Sequence, residues 1–327
     1  MIVTVTANPA LDVTYAVEGL MLDRAQRVSE VHRQAGGKGM NVARALTLMG
    51  VPAVALGIVG GAFGDLIRQD LEDAAIAYEL VEAEGNSRQT VTAWSPGGRF
   101  VELDEPGMTI TAATWDALAS ALDARLEPGG VVAISGSLPR GVPSGAYRLL
   151  IELAHERHCR VVLDTSGPAL ELALASGVDV VKPNAAELDT LSRSQPETTE
   201  EILAACRVAG NAGASAVVAS LGASGAVAVG ASGAYRFDHP ARTGNAVGAG
   251  DVLVAGLAAG LDERRSFVDC VRNGVEWAYA SLGLPFAGWL DPTQVAVGHA
   301  VISVELLDVA PIEGAAVLRK AEQEDHS

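Results

Sequence analysis

The chain has 327 residues, 49% hydrophobic and 19% charged, which is enough apolar material to pack one large or two modest domains and excludes disorder over most of the length. Lysine and arginine number 23 against 40 aspartates and glutamates, so a formal charge of −17 repels nucleic-acid backbones and anionic membranes. No apolar run approaches the roughly 20 residues of a bilayer span. The opening alternates like a strand instead of forming a basic, then long apolar leader, and a cytoplasmic location is expected. Cys159, Cys206 and Cys270 are odd in number and outside any CxxC spacing, which argues for reduced thiols and against a zinc site.

In chain order, residues 2–6 read as a strand, and 13–17 and 27–33 as short alternating runs with no helix between them. After Lys38, Val42, Leu46 and Met49 recur at helical spacing and stop at Gly50. A strand at 53–59 and a helix at 63–75 follow. Residues 89–94 and 99–103, joined by Ser95-Pro96-Gly97-Gly98, read as a hairpin. Next come a helical stripe of Trp115, Leu118, Leu122 and Leu126, a strand at 131–135, a helix at 144–157 and strands at 160–164 and 178–181. A helix at 196–212, a strand at 216–220 and helices at 250–261 and 265–282 complete the pattern. From about Glu313 the tail turns polar. Alternating strands and helices are the sequence form of repeated βαβ units, so the expected class is α/β with a mostly parallel central sheet. The four runs without helices make a separate small sheet of the kind that covers a site. No repeat or clean linker divides the chain.

The segment Thr243-Gly244-Asn245-Ala246-Val247-Gly248-Ala249-Gly250-Asp251 runs directly into an apolar helix. Glycines there permit unusual backbone, the first helical amides lack intrahelical partners and can converge on an anion, and Asp251 in the first turn offers a general base. A tight loop with an acidic helix start is the plainer alternative. Ala35-Gly36-Gly37-Lys38-Gly39-Met40-Asn41 also enters a helix and suits a polyhydroxylated ligand, although a simple glycine turn fits as well. It is not a Walker A loop, because Gly39 follows Lys38, and no GxGxxG or G-x-S-x-G motif is present. Asp12 follows the first strand, where open α/β sheets bind ligands, or is a turn residue. In Lys182-Pro183-Asn184-Ala185-Ala186-Glu187, Asn184 and Glu187 share a helical face, open to magnesium contacts through water or to a capping box. His155 and His158 have no third metal ligand.

In this order, Asn8-Pro9-Ala10-Leu11-Asp12, Gly36-Gly37-Lys38-Gly39-Met40-Asn41, Ser135-Gly136-Ser137-Leu138-Pro139, Lys182-Pro183-Asn184, Ser220-Leu221-Gly222 and Gly248-Ala249-Gly250-Asp251 resemble the PfkB (ribokinase-like) sugar kinases over residues 1–285. Within them the sequence is most similar to the phosphosugar branch, the 1-phosphofructokinases and tagatose-6-phosphate kinases. The resemblance implies a three-layer αβα domain over residues 1–312, a β lid at about 12–35 and 88–104, and a polar tail at 313–327. It also implies transfer of the γ-phosphoryl group of ATP, with Mg2+, to a sugar hydroxyl. By the same analogy Asp251 is the base and the backbone of Gly248, Ala249 and Gly250 forms the anion hole. Asp12, Gly37, Lys38 and Asn41 hold the sugar, with Arg88, Ser137 and Arg27 on its phosphate. Lys182, Asn184, Ser220, Gly222 and Gly225 contact ATP, and Glu187 serves the metal. Residues 273–289, expected beside adenine, depart from the family through Trp277, Tyr279, Pro285 and Trp289. Two other readings stay open: a kinase of an unphosphorylated sugar or nucleoside, and a non-catalytic sugar-phosphate sensor. A homodimer through the lid edges is expected.

Overall fold

The structure is a computed structural model that describes residues 1–21, 23–95, 100–242, 246–308 and 312. It begins with β1 (Ile2–Thr6), β2 (Ala10–Ala16), β3 (Glu30–Gly36), α1 (Lys38–Leu48), β4 (Ala53–Val59), α2 (Gly61–Asp73), β5 (Ala77–Glu82), β6 (Arg88–Trp94) and β7 (Phe100–Asp104). There follow α3 (Ala112–Arg125), β8 (Val131–Ser135), α4 (Tyr147–Glu156), β9 (Arg160–Asp164), α5 (Gly167–Leu174), β10 (Val178–Val181), α6 (Ala185–Ser192), α7 (Thr199–Asn211) and β11 (Ala214–Ser220). The chain continues as β12 (Ala226–Gly230), β13 (Gly233–Asp238), α8 (Ala249–Asp262), α9 (Phe267–Ser281), α10 (Pro292–Val301) and β14 (Ser303–Leu307).

Among the described residues, ten strands form one sheet in the order β14-β13-β12-β11-β10-β9-β8-β1-β4-β5. Every neighbouring pair from β11 to β5 is parallel. The strands β12, β13 and β14 add an antiparallel edge. Val3, Val132 and Val161 lie in register and pack with α3 to α7, whereas Ile2, Val131 and Val162 pack with α1, α8 and α9. Burial on both faces is why these strands read as near-continuous apolar runs, and it makes the fold three-layered. The helices α8 and α9 touch through bare glycine: a Cβ on Gly256 would stand 2.6 Å from the Cα of Gly274.

The four runs without helices form a second sheet in the order β3-β2-β6-β7. Its third core joins Leu11, Val13 and Ala35 to Ile67 and Leu71 of α2. The run expected at 27–33 lies three residues later, at Glu30–Gly36. Gly36 belongs to the strand because the Asp12 carboxyl takes the place of its side chain, with Cγ 2.0 Å from the Cβ position. Likewise β2 starts at Ala10, so Asp12 stands inside a strand of the small sheet and not in the turn after β1. The Pro96-Gly97-Gly98 turn, Thr243-Gly244-Asn245 and the polar tail lie outside the described residues.

Several elements were not anticipated. The eight-residue helix α5 is too short to show a stripe; α6, by contrast, begins in the capping box that the Asn184–Glu187 spacing offered, with the two residues bonded reciprocally. The hairpin of β12 and β13 turns tightly, with Gly230 paired to Gly233 in a stretch of small residues. The outer strands β5 and β14, each at an edge of the sheet, and the helix α10 also escaped notice, since their apolar pattern is weak.

Candidate active site

All parallel strands end on one side, where open α/β sheets hold ligands. There the small sheet and the strand ends enclose a cavity of about 860 Å³. Asp12, Gly37, Lys38, Asn41 and Arg88 line it, as do Lys182, Asn184, Ser220, Gly222 and Gly225 and the start of α8 from Gly248 to Asp251. Three expected residues do not: Ser137, Arg27 and Glu187. Arg27 is exposed ahead of β3.

At the start of α8, Gly248 takes φ +79°, a left-handed conformation available to glycine. A Cβ there would stand 2.7 Å from Ala287, so the position also requires a bare backbone. The Ala249 amide turns to the Ala246 carbonyl at 3.1 Å. That leaves Gly250 N–H as the first-turn amide with no acceptor among the described residues, and Lys182 Nζ lies 3.5 Å from its Cβ position. One amide and one ammonium therefore face the same space at the positive end of a helix.

Asp251 is 7% exposed and accepts a hydrogen bond from Asn41 Nδ2 at 2.8 Å. Burial, reinforced by Asp164, raises its pKa from 3.8 to about 7 against the opposing pull of Lys38, Asn41 and Lys182. Asp12 is likewise raised to about 7, chiefly by burial; Arg88 works against the shift, and Asp251, Glu102 and Asp104 add to it. Both acids thus sit near neutrality in one cavity, and the Asp251 charge adds to the shift of Asp12.

The residue that organises this region was missed in the sequence. Asp164 ends β9 at 1% exposure, with Oδ1 accepting from Lys38 Nζ at 2.8 Å and Oδ2 3.4 Å from Lys182 Nζ. It ties Lys38, from the glycine-rich segment before α1, and Lys182, just after β10, to one buried carboxylate. Burial disfavours the Lys38 ammonium, but Asp164, Glu187 and Asp251 outweigh it and hold its pKa above the usual lysine value. The available signal was an apolar strand, Val-Val-Leu, ending in an acid at the ligand-binding edge.

Arg88 donates from Nε to the Asn8 carbonyl at 3.1 Å and from Nη1 to Asp104 at 3.2 Å. Its Nη2 donates to nothing among the described residues. Ser137 is one step removed, accepting from Asn8 Nδ2 at 3.2 Å. Glu187 spends Oε2 on the Asn184 amide at 2.9 Å, and its Oε1 lies 3.7 Å from Lys38 Nζ. No group of three or more His, Cys, Asp or Glu side chains suited to a metal occurs among the described residues. This donor set fits a magnesium ion that arrives on phosphate oxygens, keeps its waters and takes one or two carboxylates, here Glu187 and Asp164.

At the far end, Val275, Ala278, Tyr279 and Leu282 line the cavity with His239 and Arg242. The Arg242 guanidinium lies 5.4 Å from the Tyr279 ring centre and donates to the Tyr279 carbonyl at 3.1 Å. Trp277 is core, and Trp289 does not line the cavity.

A sequence model described as pfkB family carbohydrate kinase matches residues 3–285. Among solved structures, phosphofructokinase-2 from Escherichia coli is 30% identical with a TM-score of 0.86, covering 91% of this chain and 98% of that one. A putative phosphofructokinase from Staphylococcus aureus is 27% identical with a TM-score of 0.78, covering 94% and 99%. A possible 1-phosphofructokinase from Thermotoga maritima shares the fold at 24% identity and a TM-score of 0.85, covering 94% and 99%.

Proposed function

This chain belongs to the pfkB family of carbohydrate kinases, and we propose that it transfers the γ-phosphoryl group of ATP to a hydroxyl of a phosphorylated ketohexose, fructose 1-phosphate or tagatose 6-phosphate. The carrying observation is Asp251, a buried carboxylate with its pKa near 7, held by Asn41 beside the Gly250 amide, which has no acceptor among the described residues. In this reading the sugar hydroxyl loses its proton to Asp251 as its oxygen bonds to the γ-phosphorus, and the bond from that phosphorus to the β–γ bridging oxygen breaks toward ADP. Lys38, Lys182 and the Gly250 amide counter the charge spread over the moving group. Asp12 and Asn41 grip sugar hydroxyls, and the open Nη2 of Arg88 takes the sugar's own phosphate, a pairing for which arginine is suited. ATP lies against Lys182, Asn184, Ser220, Gly222 and Gly225. Asp164 and the Oε1 of Glu187 would hold magnesium, directly or through its waters, and the ion would supply neutralisation of phosphate charge.

One observation favours a second reading. Glu102 and Asp104 crowd the cavity beside Arg88, and Asp104 engages it, which suits an unphosphorylated, hydroxyl-rich sugar. The deciding experiment is turnover with Mg·ATP on fructose 1-phosphate, tagatose 6-phosphate, fructose 6-phosphate and the free sugars. Turnover of free sugars alone would replace the first reading with the second. Binding of a phosphosugar without ATP binding in calorimetry would instead identify a sensor.

The kinase domain in this proposal spans residues 1–312, and two copies pair through the lid. Every residue of β7 is exposed, including Phe100 at 52% and Leu103 at 63%, and β3 presents Val31 at its edge of the same sheet. Covering such apolar edges is what an isologous dimer does. Light scattering at twice the chain mass is the expected result.

A further inference from the structure

Phe286 and Trp289, in the segment after α9, do not line the cavity. Phe286 stacks on His32 of β3, with ring centres 3.7 Å apart and planes 21° apart. Trp289 meets both rings edge-on and donates from Nε1 to Gln34 Oε1 at 2.9 Å. Gln34, only 3% exposed, in turn donates from Nε2 to the Ala287 carbonyl at 2.9 Å. Both ends of a buried amide are therefore fixed to one short segment 253 to 255 residues away. Burial makes these bonds count, because an amide left unpaired there has no water to turn to.

The same segment touches the reacting groups. Ala287 packs on Gly248 closely enough that a Cβ there would come to 2.7 Å, and Gly288 packs on Asn41, where a Cβ would come to 2.8 Å. Asn41 is the partner of Asp251, and Gln34 stands directly opposite Asp12 in the ladder of β2 and β3. One continuous set of contacts runs from the lid strand to the anion-hole glycine and to both near-neutral carboxylates.

We propose that residues 286–289 form a latch, in which Gln34 and Trp289 act as positioning residues that seat the lid over the sugar and set Asp12 against Asp251. A latch of this kind couples sugar binding to the state of the catalytic helix start: a sugar that pulls β2 and β3 into place also fixes Ala287 on Gly248. The kinetic part of this inference rests on the kinase reading; the structural part does not.

The test uses Trp289→Phe, which keeps a ring and loses the N–H, and Gln34→Leu, which keeps bulk and loses the bonds to Trp289, Ala287 and His32. Hydrogen exchange on the resting full-length protein is expected to speed up about tenfold at residues 10–16 and 30–36, with residues 226–238 unchanged. Unaltered exchange at 30–36 in both variants would overturn the latch. In turnover, the KM for the phosphosugar is expected to rise about tenfold and kcat to fall, while the KM for ATP stays within about twofold. A double variant no worse than either single one fits a shared hydrogen bond. Equal shifts in both KM values, or none, would reduce the cluster to plain packing and refute positioning. If the unaltered protein turns over no phosphosugar, the phosphosugar reading fails while exchange still decides the latch.

Discussion

The pH dependence of kcat/KM for the sugar is the sharpest consequence of the site. Asp251 must be ionised to accept a proton, and its pKa is raised to about 7 by burial. At pH 6 about one molecule in eleven then carries the active base, and at pH 5 about one in a hundred. Asp12 also stands near 7 and grips hydroxyls best when charged. With both ionisations needed, the product falls to about one in a hundred at pH 6, and the acid limb of the profile has a slope of two. Because the Asp251 charge bears on Asp12, the two apparent values are read as those of the pair. The assay is ADP release at constant ionic strength from pH 5.5 to 9. Running Asp12→Asn in parallel cancels the second ionisation of the sugar phosphate, near pH 6, and is expected to reduce the slope to one. A wild-type profile flat between pH 6 and 8 would refute the reasoning, since it would mean that neither buried carboxylate has to lose a proton in that range.

Asp164→Asn removes the charge that most reinforces burial at Asp251 and releases Lys38, so the midpoint of the acid limb is expected to move to lower pH while kcat falls. Asp251→Asn is expected to abolish turnover yet raise the thermal midpoint at pH 8: a raised carboxylate pKa gives stability that is complete below about 3.8 and lost as pH climbs toward 7, and the amide escapes that loss. Arg88→Ala, measured by steady-state kinetics, should raise the KM for a phosphosugar about ten- to a hundredfold, the size of a charge-assisted hydrogen bond, and leave that for ATP alone; no change would favour the free-sugar reading. Gly36→Ala puts a methyl group 2.0 Å from Asp12 Cγ and is expected to weaken sugar binding in calorimetry without altering nucleotide binding.

Where structure follows from local chain chemistry, the sequence is readable. The parallel strands announce themselves because both faces are buried, and 53–59, 131–135, 160–164 and 178–181 coincide residue for residue with β4, β8, β9 and β10. The start of α8 is equally local: glycines, an acid and an apolar helix within a few positions. Asp164 was not legible, because its meaning depends on Lys38, 126 residues away, and on Lys182 beside it in space. Trp289 stood out as a departure, but nothing in its neighbourhood of sequence says that it faces His32 and Gln34 and leaves the nucleotide end to Tyr279. Ser137 and Glu187 carry recognisable motifs, yet one hydrogen bond each commits them to Asn8 and to a helix cap. Motif spacing cannot reveal that prior engagement.

The charge arrangement explains why a buried base is tolerated at all. An isolated carboxylate this far from water would stay protonated well above neutrality. Lys38, Asn41 and Lys182 pull Asp251 back, and Asp164 keeps those two lysines from overshooting, so the acid comes to rest near 7. An ordinary aspartate would be fully ionised but too weak a base, and a more deeply isolated one would be strong but rarely ionised; Brønsted behaviour favours the value between them. In a loose phosphoryl transfer the protein contributes mainly orientation and charge. The same Asn41 that tempers the pKa of Asp251 also fixes where its carboxylate points, which joins the two requirements in one hydrogen bond.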